Sequence, residues 1–346
     1  MGGIFSFPSV DIDSPSGDSL FCQSSSSKPS STHVHGKGNG EQGSQSQHLC
    51  DVWRDLQGAH NWNGLLHPMD PILKSEVIRY GNLAKVCYDA FDGETTSKYY
   101  NTCKYSKREL LEKMGMSECG YRVTKYIYAN TGVSGSLFGE NSKGRAVWFG
   151  FIAVCDNAKE IKRLGRRDIV VAWRGTQTTQ EWIQDLRDVL VPAKLSYQCQ
   201  RTTKDHQALI PPVNDGVRIE KGFLNFYTST IHEEEDCGGK RVTMSARVHV
   251  IAEIKRLLQV YKNEMDNLSI SFTGHSLGAA LAKLSAYDTK RILRANHFID
   301  ILVTVFSFAS PRVGNLAFAK KVEETGLKVL RFVNKWDVVP EVPEFS

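Results

Sequence analysis

The chain has 346 residues, 41% hydrophobic and 23% charged, with 43 basic against 38 acidic side chains for a formal net charge of +5. This is the composition of a globular chain long enough for one large domain or two small ones, and it excludes collagen-like, coiled-coil and wholly disordered polypeptides. The positive excess is too small and too dispersed to argue for nucleic acid, and no apolar run approaches the roughly 18 residues that a membrane-spanning helix needs.

Residues 1–50 differ from everything after them. They hold 13 serines, four acidic and two basic side chains, and few large aliphatic residues. Such a segment cannot bury enough apolar surface to offset its ordering entropy, so it is expected to be a disordered leader. Three readings stay open for it. A Ser-rich leader fits an organelle transit peptide, although Asp11, Asp13 and Asp18 precede the first lysine. A plain tail fits equally. Met1-Gly2-Gly3-Ile4-Phe5-Ser6 also matches the N-myristoylation pattern, without the polybasic partner that stable anchoring requires. The eight cysteines (22, 50, 87, 103, 119, 155, 199 and 237) never fall at C-x-x-C spacing, which argues for free thiols rather than a metal or redox motif.

A folded domain is expected over residues 51–346. Leu73, Val77, Tyr80, Leu83, Ala84 and Cys87 form a helical stripe within 72–91. Residues 148–154 (WFGFIAV) and 169–173 (IVVAW) read as strands, and 244–261 as an amphipathic helix. A strand (268–273), a helix (277–290), a strand (301–307), a helix (315–324) and a strand (328–333) follow. Alternating strands and helices imply an α/β fold, with a mostly parallel sheet covered by helices on both faces.

Within that alternation Gly274-His275-Ser276-Leu277-Gly278 is a G-x-S-x-G elbow, preceded by an apolar strand and followed by an Ala/Leu-rich helix. A serine on such a strained strand-to-helix turn exposes its hydroxyl above the sheet, and the glycines let strand and helix approach. Ser276 is therefore the candidate nucleophile. The N–H of Leu277, at the start of the helix, can face a developing oxyanion. His275 has its backbone committed to the turn and is expected to make a structural hydrogen bond. Thr176 follows the 169–173 strand beside Gly175, where its N–H and hydroxyl could supply a second oxyanion donor. Asp337 lies just past the last strand, where an acid that orients a catalytic histidine belongs.

The chain resembles the class 3 (fungal-type) lipases, and among them the plant phospholipase A1 family related to the defective-in-anther-dehiscence lipase. The matching blocks include NWNGLLHPMDP (61–71), EVIRYGNLAKVCYDAFD (76–92), GYRVTKYIYAN (120–130), GRRDIVVAWRGT (165–176), TGHSLGAALAKLSAYD (273–288), SFASPRVGN (307–315) and VLRFVNKWDVVPEVP (329–343). The resemblance implies an α/β-hydrolase fold, Ser276 as nucleophile, Asp337 as triad acid, and Thr176 with Leu277 as the oxyanion hole. It also implies a short lid over 177–188 whose apolar face carries Trp182 and Ile183. The implied reaction releases fatty acid from the sn-1 position of glycerolipids at a membrane surface, without metal or organic cofactor. A chloroplast location is implied, with cytoplasm and mitochondrion as alternatives. One departure stands out. The family orders its residues Ser…Asp…His, and none of the nine residues after Asp337 is a histidine. The chain is therefore expected to be an impaired hydrolase without its closing C-terminal elements, with an exposed sheet edge, or else a non-catalytic lipid-binding relative.

Overall fold

The computed structural model describes residues 9–11, 48–130, 146–176, 189–195, 216–235 and 241–343. The expected lid, with Trp182 and Ile183, lies outside these residues. Strand β1 (Ser9–Asp11) comes first, and helix α1 (Leu49–Leu56) buries Trp53 and Leu56. Helix α2 (Pro71–Asp89) starts where the sequence dictates: Asp70 Oδ1 accepts from the N–H groups of Ile72 and Leu73 at 2.8 and 2.9 Å. Pro71 occupies the first turn, where a missing N–H costs nothing. Helix α3 (Leu110–Lys113) leads to β2 (Tyr121–Asn130), β3 (Ala146–Cys155), α4 (Ala158–Leu164) and β4 (Arg167–Trp173). Two short antiparallel pairs follow, β5 (Leu190–Pro192) with β6 (Arg218–Glu220), and β7 (His232–Glu235) with β8 (Arg241–Met244), with α5 (Lys221–Thr228) between them. The last third alternates: α6 (Ala246–Val260), β9 (Leu268–His275), α7 (Leu277–Ala295), β10 (Leu302–Phe308), α8 (Leu316–Glu324) and β11 (Lys328–Val333).

The main sheet runs β1-β11-β10-β9-β4-β3-β2, and β3 alone is antiparallel to its neighbours. The mostly parallel α/β sheet read from the sequence therefore forms. Side chains along a strand alternate between the two faces, and β9 shows which helix covers which. Ser271 and Thr273 hydrogen-bond to Tyr80 of α2. Gly274, of the opposite parity, abuts the backbone of Gly278 in α7. Helix α7 is buried along almost its whole length, as its Leu/Ala-rich sequence requires.

Two expectations need correcting. The leader, read as wholly without regular structure, supplies β1, which pairs in parallel with Arg331–Val333 of β11. The edge expected to lie open thus carries one short strand. A strand edge offers unpaired N–H and C=O groups to any passing backbone, and pairing with them asks for no apolar side chains. The helix expected to end at residue 290 continues to Ala295, because no Gly or Pro interrupts it.

Beneath the sheet, at the starting ends of β4 and β9, lies a buried polar cluster. The carboxylate of Asp168 accepts from Tyr80 Oη at 2.9 Å, Tyr121 Oη at 2.7 Å, Ser269 Oγ at 2.6 Å and Ser271 Oγ at 2.8 Å. Glu76 holds the guanidiniums of Arg79 and Arg166 at 2.6 and 2.9 Å. Burial alone would raise the Glu76 carboxyl, but the two cations and their hydrogen bonds bring it down to about 2. Of the described cysteines, all five are free thiols; Cys87, Cys103 and Cys155 are buried.

Candidate active site

Ser276, Thr176 and Asp337 follow β9, β4 and β11 respectively, so the three candidates gather at the carboxyl edge of the parallel strands, where open α/β sheets keep their crevices. Ser276 caps α7 with φ 56° and ψ −125°, a left-handed backbone that a residue with a Cβ adopts only when its surroundings enforce it. The enforcement is visible. The Ser276 N–H donates to Phe308 O at 3.0 Å, tying the turn to β10. A Cβ on Gly274 would lie 2.4 Å from the Gly278 backbone, and one on Gly278 would lie 2.5 Å from Trp173 O. The two glycines are therefore required by close approach of strand β9, helix α7 and strand β4.

That approach also brings the 174–176 segment against the elbow. A Cβ on Gly175 would meet Tyr88 Oη at 2.0 Å and His275 O at 2.6 Å. Thr176 is buried and its Oγ1 has no hydrogen-bond partner among the described residues; the same holds for Ser276 Oγ, in a residue only 1% exposed. Leu277 is the first residue of α7, where the N–H groups lack intrahelical acceptors. Two unsatisfied hydroxyls and a helix N-terminus thus share one buried corner. Orphaned polar atoms of this kind ask for an explanation, and an oxygen of a bound ester is a chemically suitable partner.

Two residues that no sequence signal singled out hold this corner. Tyr88, near the end of α2, donates to His275 O at 3.2 Å and has its Oη 3.0 Å from His275 Nδ1. Its ring meets the imidazole edge-on at 5.8 Å. His275 thus makes a structural contact, as its position in the turn predicts. Arg174 is 2% exposed and its guanidinium is sandwiched between the rings of Phe91 and Phe149, with centroids at 3.6 and 4.3 Å. Burial pulls its pKa down to about 10, while the neighbouring Tyr88 and Cys87 oppose that. Within an amphipathic helix or after a strand, Tyr and Arg read as packing and surface residues, so only the folded contacts reveal them.

Asp337 lies in the loop after β11, where its Oδ1 accepts from Val339 N at 3.0 Å and its own N–H donates to Asn334 O at 2.9 Å. Its carboxylate is close enough to act on His275: burial lowers the imidazole below its ordinary value, and Asp337 partly offsets this. Among the described residues no group of three or more His, Cys, Asp or Glu side chains could hold a metal ion, and no helix is long and apolar enough to cross a membrane.

Residues 170–346 match the family model of the class 3 lipases. The chain is 42% identical over 308 residues to phospholipase A1-Igamma2, chloroplastic, of Arabidopsis thaliana, covering 86% of this chain and 55% of that protein. It is 43% identical over 301 residues to galactolipase DONGLE, chloroplastic, of the same plant, covering 86% and 59%. With phospholipase A1-IIalpha, also of A. thaliana, it shares 39% identity over 308 residues, 84% of this chain and 68% of the relative. The chain thus spans a little over half the length of the first two relatives.

Proposed function

The chain belongs to the class 3 lipase family, and from that premise we propose that it acts on the acyl esters of membrane glycerolipids, with Ser276 as the nucleophile. The observation that carries this reading is the strained elbow itself. Ser276 sits at φ 56° between two glycines that admit no Cβ, with its hydroxyl buried and unpartnered. In the proposed reaction Ser276 Oγ attacks the ester carbonyl. The negative charge that develops on the carbonyl oxygen is met by the N–H of Leu277, the dipole of α7, and the N–H and hydroxyl of Thr176. Collapse of the tetrahedral species breaks the ester C–O bond, the proton given up by Ser276 passing to the departing lysolipid oxygen. It leaves an acyl-serine that water hydrolyses to fatty acid and free Ser276. The names of its relatives favour phospholipids or galactolipids as substrates, the sn-1 ester as the bond cleaved, and the chloroplast as the place. A membrane surface is the proposed setting because such lipids reside there. Trp182 and Ile183 are proposed as the apolar face of a lid over the site.

The base is the open position. Asp337 is suited to orient an imidazole, but every histidine among the 346 residues precedes it. No described side chain hydrogen-bonds Ser276 Oγ. We therefore propose that a polypeptide of these 346 residues hydrolyses esters slowly, through the oxyanion donors and binding alone, which in triad enzymes retain roughly 10³–10⁴-fold over water. The same unpartnered hydroxyl favours a second reading, a non-catalytic lipid binder. Labelling by a fluorophosphonate probe separates the two. Slow labelling that Ser276→Ala abolishes supports the impaired hydrolase. No labelling at all, with intact binding to galactolipid vesicles, supports the lipid binder. Labelling that survives Ser276→Ala contradicts both. A fluorescent fusion of residues 1–50 tests the plastid location, which accumulation in the cytosol would overturn.

A further inference from the structure

Among the described residues the buried and partly buried cations are held in different ways; Lys290, for one, donates to the carbonyls of Ile299 and Ile301. Arg166 and Arg79 meet Glu76, and Arg247 meets Asp288 at 2.6 Å. Arg174 is instead enclosed by two aromatic faces. Between α7 and the β10–β11 pair one cation acts on another. Lys283, two turns into α7 and only 8% exposed, donates to Pro311 O at 3.0 Å and forms no ion pair among the described residues. Arg331 of β11 is half-buried, and its Nε is buried without a hydrogen-bond partner. Ser307 of β10 is fully buried, and its Oγ is equally unpartnered.

These groups lie on one side of the sheet. Ser307 and Arg331 are register partners across two parallel strands, so their side chains leave the same face. That face is opposite α2, because Phe306 stacks on Tyr80 at 4.1 Å and Phe308 stacks on Phe332 against Gly81. It is therefore the face covered by α7, which carries Lys283. The charges acting on the pair are other cations. Burial lowers Lys283 well below its ordinary value and Arg331 lowers it further, while Arg331 is itself lowered by burial and by Arg312. Uncompensated charge in such a place is strongly unfavourable, and it is relieved either by losing the proton or by an anion.

We propose that Lys283, Arg331 and Ser307 form a seat for a small oxyanion, a carboxylate or a phosphate, behind the elbow and separate from the ester site. An ammonium, a guanidinium Nε–H and a hydroxyl present three kinds of donor, the set such an ion takes, and no carboxylate among the described residues pairs with either cation. The two sources of this chemistry are a free carboxylate, such as a released acid, and a phosphate, free or on a lipid headgroup.

Thermal unfolding of the 346-residue protein at pH 7 and constant ionic strength tests this, with chloride replaced stepwise by acetate in one arm and by inorganic phosphate in the other. The expected result is a saturable rise of the midpoint in at least one arm, the responding arm identifying the source. Lys283→Met should remove that rise. Ser307→Ala and Arg331→Gln should each weaken the apparent affinity roughly tenfold, the loss of about one charge-assisted hydrogen bond, and they carry the test should Lys283→Met fail to fold. Midpoints that follow chloride in both arms would overturn the proposal. So would a response kept in full by the variants.

Discussion

At the scale of single residues, the site is organised by contacts that leave little tolerance. Replacing Gly278 by Ala would place a Cβ 2.5 Å from Trp173 O, and neither backbone can give way cheaply. We expect Gly278→Ala to fold less stably and to slow labelling of Ser276 roughly 100-fold, as displacements of about 1 Å do in other sites; unchanged labelling would show that the close approach is not needed. Asp337 offers a finer test, because its carboxylate favours the charged form of His275 while burial opposes it. Asp337→Asn should therefore lower the His275 pKa further below 6.5, read from the imidazole signals in an NMR titration. An unmoved or raised value would mean that Asp337 does not face the elbow. The strained turn at Ser276, the helix start at Leu277 and the structural contact of His275 were legible in the sequence, since the elbow pattern carries its own geometry. The placement of Thr176 beside a strand end was legible from the run before it, while the catalytic roles of these residues remain proposals. Tyr88 and Arg174 were not legible there. Their significance comes from what each one touches far along the chain, Tyr88 the elbow at His275 and Arg174 the ring of Phe91, and nothing local records that.

At the scale of elements, α2 does more than cover the sheet. It carries Glu76, Arg79 and Tyr80 into the polar cluster that binds Arg166 and Asp168 at the start of β4. The Glu76 carboxyl, held at about 2 against an ordinary 4.5, favours the folded state fully above pH 4.5. That contribution drains away as the pH falls from 4.5 towards 2. Glu76→Gln leaves two buried guanidiniums without their carboxylate, and should cost about 3–5 kcal/mol at pH 7 in denaturant unfolding. It should also flatten the acid-induced loss of stability below pH 4.5; a variant as stable as the parent would show that the cluster is dispensable. The core elements of this region were predictable from periodicity. Strands β3, β4, β9, β10 and β11 fall within two residues or so of the expected runs, because long apolar stretches bounded by turn residues have few alternatives. Strand β2 escaped notice as a strand. Its register against β3 shifts twice, between Val123 and Lys125 and between Ile127 and Tyr128, which breaks the simple alternation that would have marked it.

At the scale of the whole molecule, the charge and the chain's organisation bear on function together. The leader is slightly acidic, so the positive excess belongs to the domain, consistent with the proposed approach to an anionic membrane surface. Short β1 lies along β11, at the end of the sheet beyond which no further strand pairs among the described residues. Deleting residues 1–11 is expected to leave the unfolding midpoint little changed but to raise the tendency to associate, measured by light scattering, since the edge loses its partner strand. A large fall in midpoint would instead mean that β1 is integral to the fold. The proposed lack of a base in residues 1–346 turns on what the site does with and without further chain. The most direct measurement is hydrolysis of phosphatidylcholine and galactolipid vesicles by the 346-residue chain, beside the same chain extended with the segment of phospholipase A1-Igamma2 that lies beyond the matched region. The extension is expected to raise kcat/KM by at least about 10³-fold, with Ser276→Ala abolishing the gain. Equal rates with and without the extension, or a gain that survives Ser276→Ala, would contradict the account.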